Sequence, residues 1–306
     1  MNGSSSSIAD DRQHRRSGFV MGVAAYGLWG ILPIYFKLLE GVASVSIVAH
    51  RIAWSVPFLL AVLLIGGNLR QVREALSNKK TCAWLALTAA LIGINWLLYV
   101  YAVMSGHILA GSLGYYLNPL ANVLLGRIVL KERLSSLQWA AVGIAFAGIS
   151  VLAWQALGQL WISLALCVSF ASYGLLRKLA PVDSAAGLTV ETLLLLPFAL
   201  GWLWWRSIAG DPLFGPDGKL LLLVLSGAAT AVPLLLFTAA ARRLPYSTLG
   251  MLQFLAPTMQ FFCAVFLYSE PFTTAHAIAF AAIWTALALY IFEMIRKRPD
   301  IVMPPE

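Results

Sequence analysis

The sequence predicts an all-α polytopic membrane protein with ten transmembrane helices in two inverted five-helix repeats, both termini cytoplasmic. Three observations carry this expectation. Of the 306 residues, 60% are hydrophobic and only 11% are charged. A soluble domain carries about 25% charged and 45–50% apolar residues, so lipid must be the solvent for most of the chain. Basic residues gather on alternate loops, and the second half of the chain echoes the first at a nearly constant offset.

In chain order, residues 1–17 (MNGSSSSIADDRQHRRS) are Ser-rich and charged and read as a disordered cytoplasmic tail. The apolar run that follows is too long for a signal-peptide core and lacks a small-residue cleavage site, so it reads as a permanent helix. Spans of about 20 apolar residues are needed to cross the hydrocarbon. They fall at 18–39, 44–66, 82–104, 108–130 and 136–154 in the first repeat (18–154). The second repeat (159–295) has spans at 159–179, 185–205, 220–241, 246–268 and 274–295, followed by a cytoplasmic tail at 296–306.

Orientation follows from charge. Arg12, Arg15 and Arg16 precede the first span, and Arg70, Arg73, Lys79 and Lys80 separate the second from the third. Arg127, Lys131 and Arg133, then Arg177 and Lys178, then Arg242 and Arg243, occupy the later loops of the same side, with Arg296, Lys297 and Arg298 beyond the last span. The opposite loops hold only Arg206 and Lys219. By the positive-inside rule the basic side is cytoplasmic, and the alternation requires an even number of spans. The net charge of +8 is therefore a topology signal, and no nucleic-acid partner is expected. Cys82, Cys167 and Cys263 lie far apart in apolar runs, which predicts neither a disulfide framework nor a metal site, and no cofactor.

Sliding the chain by 138 residues places Pro119 on Pro257, Glu132 on Glu270 and Tyr99 on Phe237; a nearby offset of 140 places SVPFLLA (55–61) over LLPFALG (195–201). Five spans separate the partners, so the halves are inserted in opposite senses. Inverted repeats of this kind hold their binding site near the midplane at the repeat interface. In the fourth span Gly111, Tyr115, Asn118, Asn122 and Gly126 share one face, and the shifted stripe of the ninth contains Gln253 and Gln260. Two readings stand: the amides glue helices together, or they line a water-accessible cavity. On the second reading Tyr115, Asn118, Asn122, Gln253 and Gln260 bind a small-molecule substrate, joined by Asn95, Trp96 and Tyr99 of GINWLLYVYAV (93–103). Pro119 and Pro257 kink their helices, either for packing or for motion.

Arg51, in HRIAWS, lies about 10 Å into its span. An arginine at depth needs water or a partner, so it reads either as a static contact or as a group that holds an anion or gates the outer mouth. The 140 offset places Glu191 at the equivalent position, which makes it the candidate proton carrier, although a direct Arg51–Glu191 pair is not expected. Glu132 and Glu270 stand before turns that open the next helix, where a carboxylate favours the positive N-terminal dipole. The chain holds no GxxxxGK[ST], HExxH or paired-aspartate pattern, so neither ATP hydrolysis nor intramembrane catalysis is expected.

Segments along almost the whole chain resemble the EamA branch of the drug/metabolite transporter superfamily, and within it the RarD proteins. They include GLWGILPIYFKLL, HRIAWS, NWLLYVYAV, SLGYYLNPLANVLLG, KERLSSLQWAAVGIAFAGI, SYGLLRK, ETLLLLP and PLLLFTAAARRLPYSTLGMLQFLAPTMQF. The resemblance implies a permease of the bacterial inner membrane, exporting small metabolites or amphipathic drugs such as chloramphenicol. Amino-acid export, a facilitator without proton coupling and, more remotely, a non-transporting assembly subunit stand as alternatives. Membrane lipid is an expected partner, protons are the candidate coupling ion, and monomer and homodimer both remain open.

Overall fold

The structure, a computed structural model, describes residues 3–66, 69–104, 108–154, 157–210, 218–267 and 273–296. Every regular element among the described residues is helical. The long helices are α1 (Gly3–Leu38), α2 (Ser44–Ile65), α4 (Lys79–Met104), α5 (Ile108–Ile128), α6 (Ser136–Trp154), α7 (Leu160–Leu179), α8 (Ser184–Ile208), α9 (Leu220–Arg243) and α12 (Thr274–Arg296). Short helices α3 (Leu69–Ser77), α10 (Tyr246–Leu252) and α11 (Leu255–Phe262) complete the set, with a 3-10 turn at Leu157–Gln159 and a π-helical turn at Cys263–Leu267. Among the described residues, eight helices are long and apolar enough to cross a membrane: all of the long ones except α5. Helix α5 is 21 residues long and fills the place of the fourth expected span, whereas the ninth is broken into α10, α11 and the π turn.

Proline explains the break. Pro257 has no N–H to donate to the Gln253 carbonyl one turn earlier, and its ring crowds that carbonyl. The ladder tightens instead to i→i+3 bonds: Gln253 N donates to Gly250 O (3.0 Å), Phe254 N to Met251 O (3.2 Å) and Ala256 N to Gln253 O (3.3 Å). Helix α1 begins at Gly3, ahead of the expected first span, and neither glycine nor proline interrupts the run from Ser4 to Ser17. One further expectation is corrected. Residues 69–77, expected as a basic loop, form amphipathic α3, which buries Val72 and Ala75 and carries an exposed Arg70–Glu74 pair at 2.6 Å.

Helix ends are tied by side chains. Asn78 Oδ1 accepts from the amides of Lys80 (3.0 Å) and Thr81 (3.2 Å), capping α4. Ser135 and Gln138 exchange side-chain and backbone bonds at 2.9 and 3.2 Å, a capping box that starts α6. Glu132 was expected to serve the helix that follows it, but serves another. Its carboxylate accepts from Tyr246 N (2.5 Å), Ser247 N (3.0 Å) and Ser247 Oγ (2.6 Å), capping α10 in the second half of the chain. The α6 start is already satisfied by Ser135, which leaves Glu132 for the orphan amides of α10. Glu270 lies outside the described residues. At the same end of the bundle, Lys178 Nζ donates to the Ala241 (2.7 Å) and Leu244 (2.5 Å) carbonyls at the end of α9.

The helices pack in a defined set of pairs: α1 on α9 and α11, α2 on α8 and α9, α4 on α7 and α8, α5 on α7 and α10, and α6 on α12. Small residues permit the closest approaches, since lipid tails offer no hydrophobic drive between helices. Gly227 of α9 lies against the backbone of Trp54 and Ser55 in α2, Gly148 of α6 against Ala279 and Ala282 of α12, and Gly250 of α10 against Pro119 O and Asn122 of α5. Exposed Phe146, Phe198 and Trp204 face outward from the bundle.

Removing the Glu132 carboxylate orphans two buried amides, each worth about 1–3 kcal/mol. Glu132→Ala is expected to lower stability by a few kcal/mol in detergent thermal unfolding, and Glu132→Gln by less.

Candidate functional site

Between α1, α2, α4, α5, α7, α9 and the broken α10–α11 region lies a cavity of about 170 Å³. It runs from Tyr26 and Trp29 in the body of α1 to Phe36 near its C-terminal end, and includes Val48 and Arg51 from the start of α2. Sequence-predicted residues Asn95, Trp96, Tyr99, Tyr115, Gln253 and Gln260 all line it, as does Pro257. Tyr99 and Tyr115 pack ring against ring with centroids 5.4 Å apart. Asn95 is fixed from behind: its amide donates to Leu166 O (2.9 Å) and Ser169 Oγ (3.0 Å) of α7.

Gln260 shows how the kinks shape this wall. Pro33 cannot donate to the carbonyl of Trp29, one turn before it in α1. Gln260 Nε2 of α11 donates to that same carbonyl at 3.0 Å. The orphan made by a proline in one half is satisfied by an amide from the other.

Arg51 projects into the cavity. Its Nε donates to Thr230 Oγ1 at 2.8 Å, and its guanidinium carbon lies 5.4 Å from the ring centroids of both Phe36 and Trp96. This sandwich provides the favourable cation–π contact that an arginine at depth requires. Ser55, one turn on, anchors α2 by donating to Gly227 O at 3.1 Å.

Three predicted site residues lie elsewhere. Asn118 and Asn122 are fully buried and do not line the cavity; Asn122 lies at the contact of α5 with α10. Asn122 Nδ2 donates to Gln253 Oε1 at 2.8 Å, so it reaches the cavity only through a residue that lines it. The wheel placed them on the right face of α5, but Gly250 lets α10 occupy that face. Glu191 is also removed from the cavity wall. It is fully buried, 3.5 Å from Arg177 Nε, and accepts from Thr88 Oγ1 (2.5 Å) and Tyr173 Oη (3.3 Å). Gly187 provides the room for the Arg177 guanidinium, which a side chain there would strike. Arg51 and Glu191 thus form no pair, as expected.

The sequence reading missed the aromatic floor. Tyr26, Trp29, Phe170 and Phe237 make successive ring contacts at 5.5–6.2 Å, closing the end of the cavity away from Arg51. Tyr26, Trp29, Pro33 and Phe36 follow one another at helical spacing in YGLWGILPIYF (26–36), which was the available signal. Thr230 carried no signal of its own, and Arg177, expected as a basic loop residue, instead lies buried within α7 against Glu191 of the next helix.

A helical bundle crossed by apolar spans, with an aromatic and amide-lined cavity at its centre, is the architecture of a small-solute membrane transporter. Comparison with known proteins specifies the class. Residues 16–154 match the EamA-like transporter family. An uncharacterized transporter of Pseudomonas aeruginosa is 46% identical, covering 94% of this chain and 98% of its own. Protein RarD of Salmonella typhimurium is 43% identical, covering 93% and 98%. The chain belongs to the RarD proteins of the EamA-like drug/metabolite transporter group and is a multi-pass protein of the bacterial inner membrane. A solved crystal structure only 20% identical in sequence shares the fold with a TM-score of 0.74, over 92% of this chain and all of the other.

Two stability effects follow from these contacts. Gln260→Ala orphans the Trp29 carbonyl and is expected to cost about 1–3 kcal/mol in detergent unfolding. Glu191→Ala strands the buried Arg177 and is expected to cost about 3–5 kcal/mol, most of it recovered by adding Arg177→Met.

Proposed function

We propose that the chain is a secondary transporter that exports small metabolites by alternating access around the central cavity. On this reading the ninth span crosses the membrane as α10, α11 and the π turn, giving ten spans in two inverted repeats, 18–154 and 159–295. The packing pairs support this symmetry. Exchanging each of the first five spans with its partner five spans later converts α1–α9 into α7–α4, α2–α9 into α8–α4, and α5–α7 into α11–α1. The pairs α2–α8, α5–α10 and α6–α12 map onto themselves.

The observation that carries the function is a cavity between the halves that is blocked at one end. Positive-inside orientation assigns both termini and the Tyr246 end of the bundle to the cytoplasm. Tyr26, Phe237 and Tyr246, all fully buried, close that end, while the cavity extends toward the α1–α2 turn. This is an outward-facing arrangement, and rocking of the repeats would exchange the open and closed ends. A cavity of about 170 Å³ favours metabolites over drugs the size of chloramphenicol, since drug-sized sites run to about 300–1,000 Å³.

A facilitator without proton coupling is the second reading. It is favoured by the position of Glu191, tied to Arg177, Thr88 and Tyr173 away from the cavity.

Proteoliposomes of purified protein test both readings, with a panel of chloramphenicol, aromatic and aliphatic amino acids and small carboxylic acids. Saturable flux above that of empty liposomes is expected, reduced about tenfold by Trp96→Ala, the effect of losing about 1.4 kcal/mol of binding. Trp204→Ala, on the exposed face, is expected to leave flux unchanged. An imposed pH gradient that accelerates flux in wild type but not in Glu191→Gln supports proton coupling, and indifference to the gradient supports the facilitator. Flux at the empty-liposome level across the whole panel overturns transport.

A further inference from the structure

We infer that the cavity selects small organic monoanions, with Arg51 receiving the anionic group; this rests on the transporter reading of the same cavity. Arg51 is the one charged side chain among the described residues that line the cavity. No described carboxylate lies within 4.0 Å of it, in contrast to Arg177, which has Glu191. Its hydrogen bond to Thr230 uses Nε. The terminal nitrogens carry the remaining four of the five guanidinium N–H donors. That planar fork matches the two oxygens of a carboxylate and binds it more strongly than a neutral acceptor.

The flanking rings of Phe36 and Trp96, each 5.4 Å from the guanidinium carbon, hold the fork in place without neutralising it. A cation held at depth with no counter-ion retains a substantial desolvation cost, which an incoming anion offsets. Among the described residues, the remaining wall has no acidic group to receive an ammonium. A zwitterion must therefore place its ammonium in a cavity that already holds the Arg51 cation, with aromatic faces and no carboxylate to receive it, and a cation is disfavoured further. Trp29, Phe170 and Leu234, deeper in the cavity, offer an apolar seat for the body of the solute. The cavity of about 170 Å³ has room for a single-ring acid. Binding such a solute also makes the loaded cavity electrically neutral, which lowers the cost of carrying it past the bilayer centre.

Three probes of matched shape test the inference: 3-phenylpropionate, phenylalanine and 3-phenylpropanamide. Each is titrated calorimetrically into wild-type protein in detergent, and each is followed as labelled solute in proteoliposomes. The expected result is that 3-phenylpropionate binds about tenfold or more tighter than the zwitterion and the amide. Arg51→Gln should bring it to the level of the amide, and Arg51→Lys should retain part of the preference. The wild-type comparison alone decides the question should Arg51→Gln fail to fold. Equal affinities, a preference for phenylalanine or the amide, or no binding of any probe overturns the inference. Anion-selective binding without flux upholds the site and counts against transport, whereas flux without charge selectivity upholds transport and overturns the inference.

Discussion

Inside a bilayer no backbone group can turn to water, so each carbonyl that a proline abandons must find a donor within the protein. The rest of this structure depends on how that debt is met. Pro33 abandons the carbonyl of Trp29, and Gln260 of a distant helix supplies the donor. Pro257 abandons that of Gln253, and the chain answers by tightening its own turns at 253–254. Both repairs fall on the cavity wall. The irregular backbone is thus confined to the place where it borders a polar space instead of lipid, and the bends that open the cavity are fastened from the opposite half.

Charge is distributed according to the same economy. Arg177 and Glu191 bury each other beside Tyr173, and the pair joins α7 to α8, with Thr88 of α4 bonded to the same carboxylate. Arg51 has no such counterpart and rests between two aromatic faces. One arginine is therefore spent on holding helices together, while the other remains directed at the space between them. Their difference lies in their neighbours, not in depth or residue type.

Helix positions were largely legible in the sequence, because lipid demands uninterrupted apolar runs and the turn residues between them are explicit. The fifth span coincides with α6 at 136–154, bounded by the Ser135–Gln138 box. Helix α3 escaped because its charges resemble those of a loop until Val72 and Ala75 are seen to be buried. Pro257 announced a kink but not its form, since the repair depends on which neighbours can donate. Residue type and face pointed to Tyr99, Tyr115, Gln253 and Gln260, which line the cavity. The same reasoning put Asn118 and Asn122 on that face, but they are buried and do not line the cavity, because a helical wheel gives a direction and not the helix that occupies it. The repeat offset likewise placed Glu191 opposite Arg51, although its partner is Arg177 on the preceding helix.

The Glu132 cap carries a consequence for the order of synthesis. Its carboxylate and the Tyr246 amide it accepts from are 114 residues apart. At about 5–20 residues per second, roughly 6–23 s separate their emergence from the ribosome. The acceptor is always made first and waits at the end of an already inserted helix, so the amides of α10 meet a prepared partner as they arrive. A chain permuted to begin in its second half would reverse this sequence, making α10 wait uncapped at the membrane for its carboxylate. The arrow of translation is therefore built into the join between the halves, even though their packing is nearly symmetric.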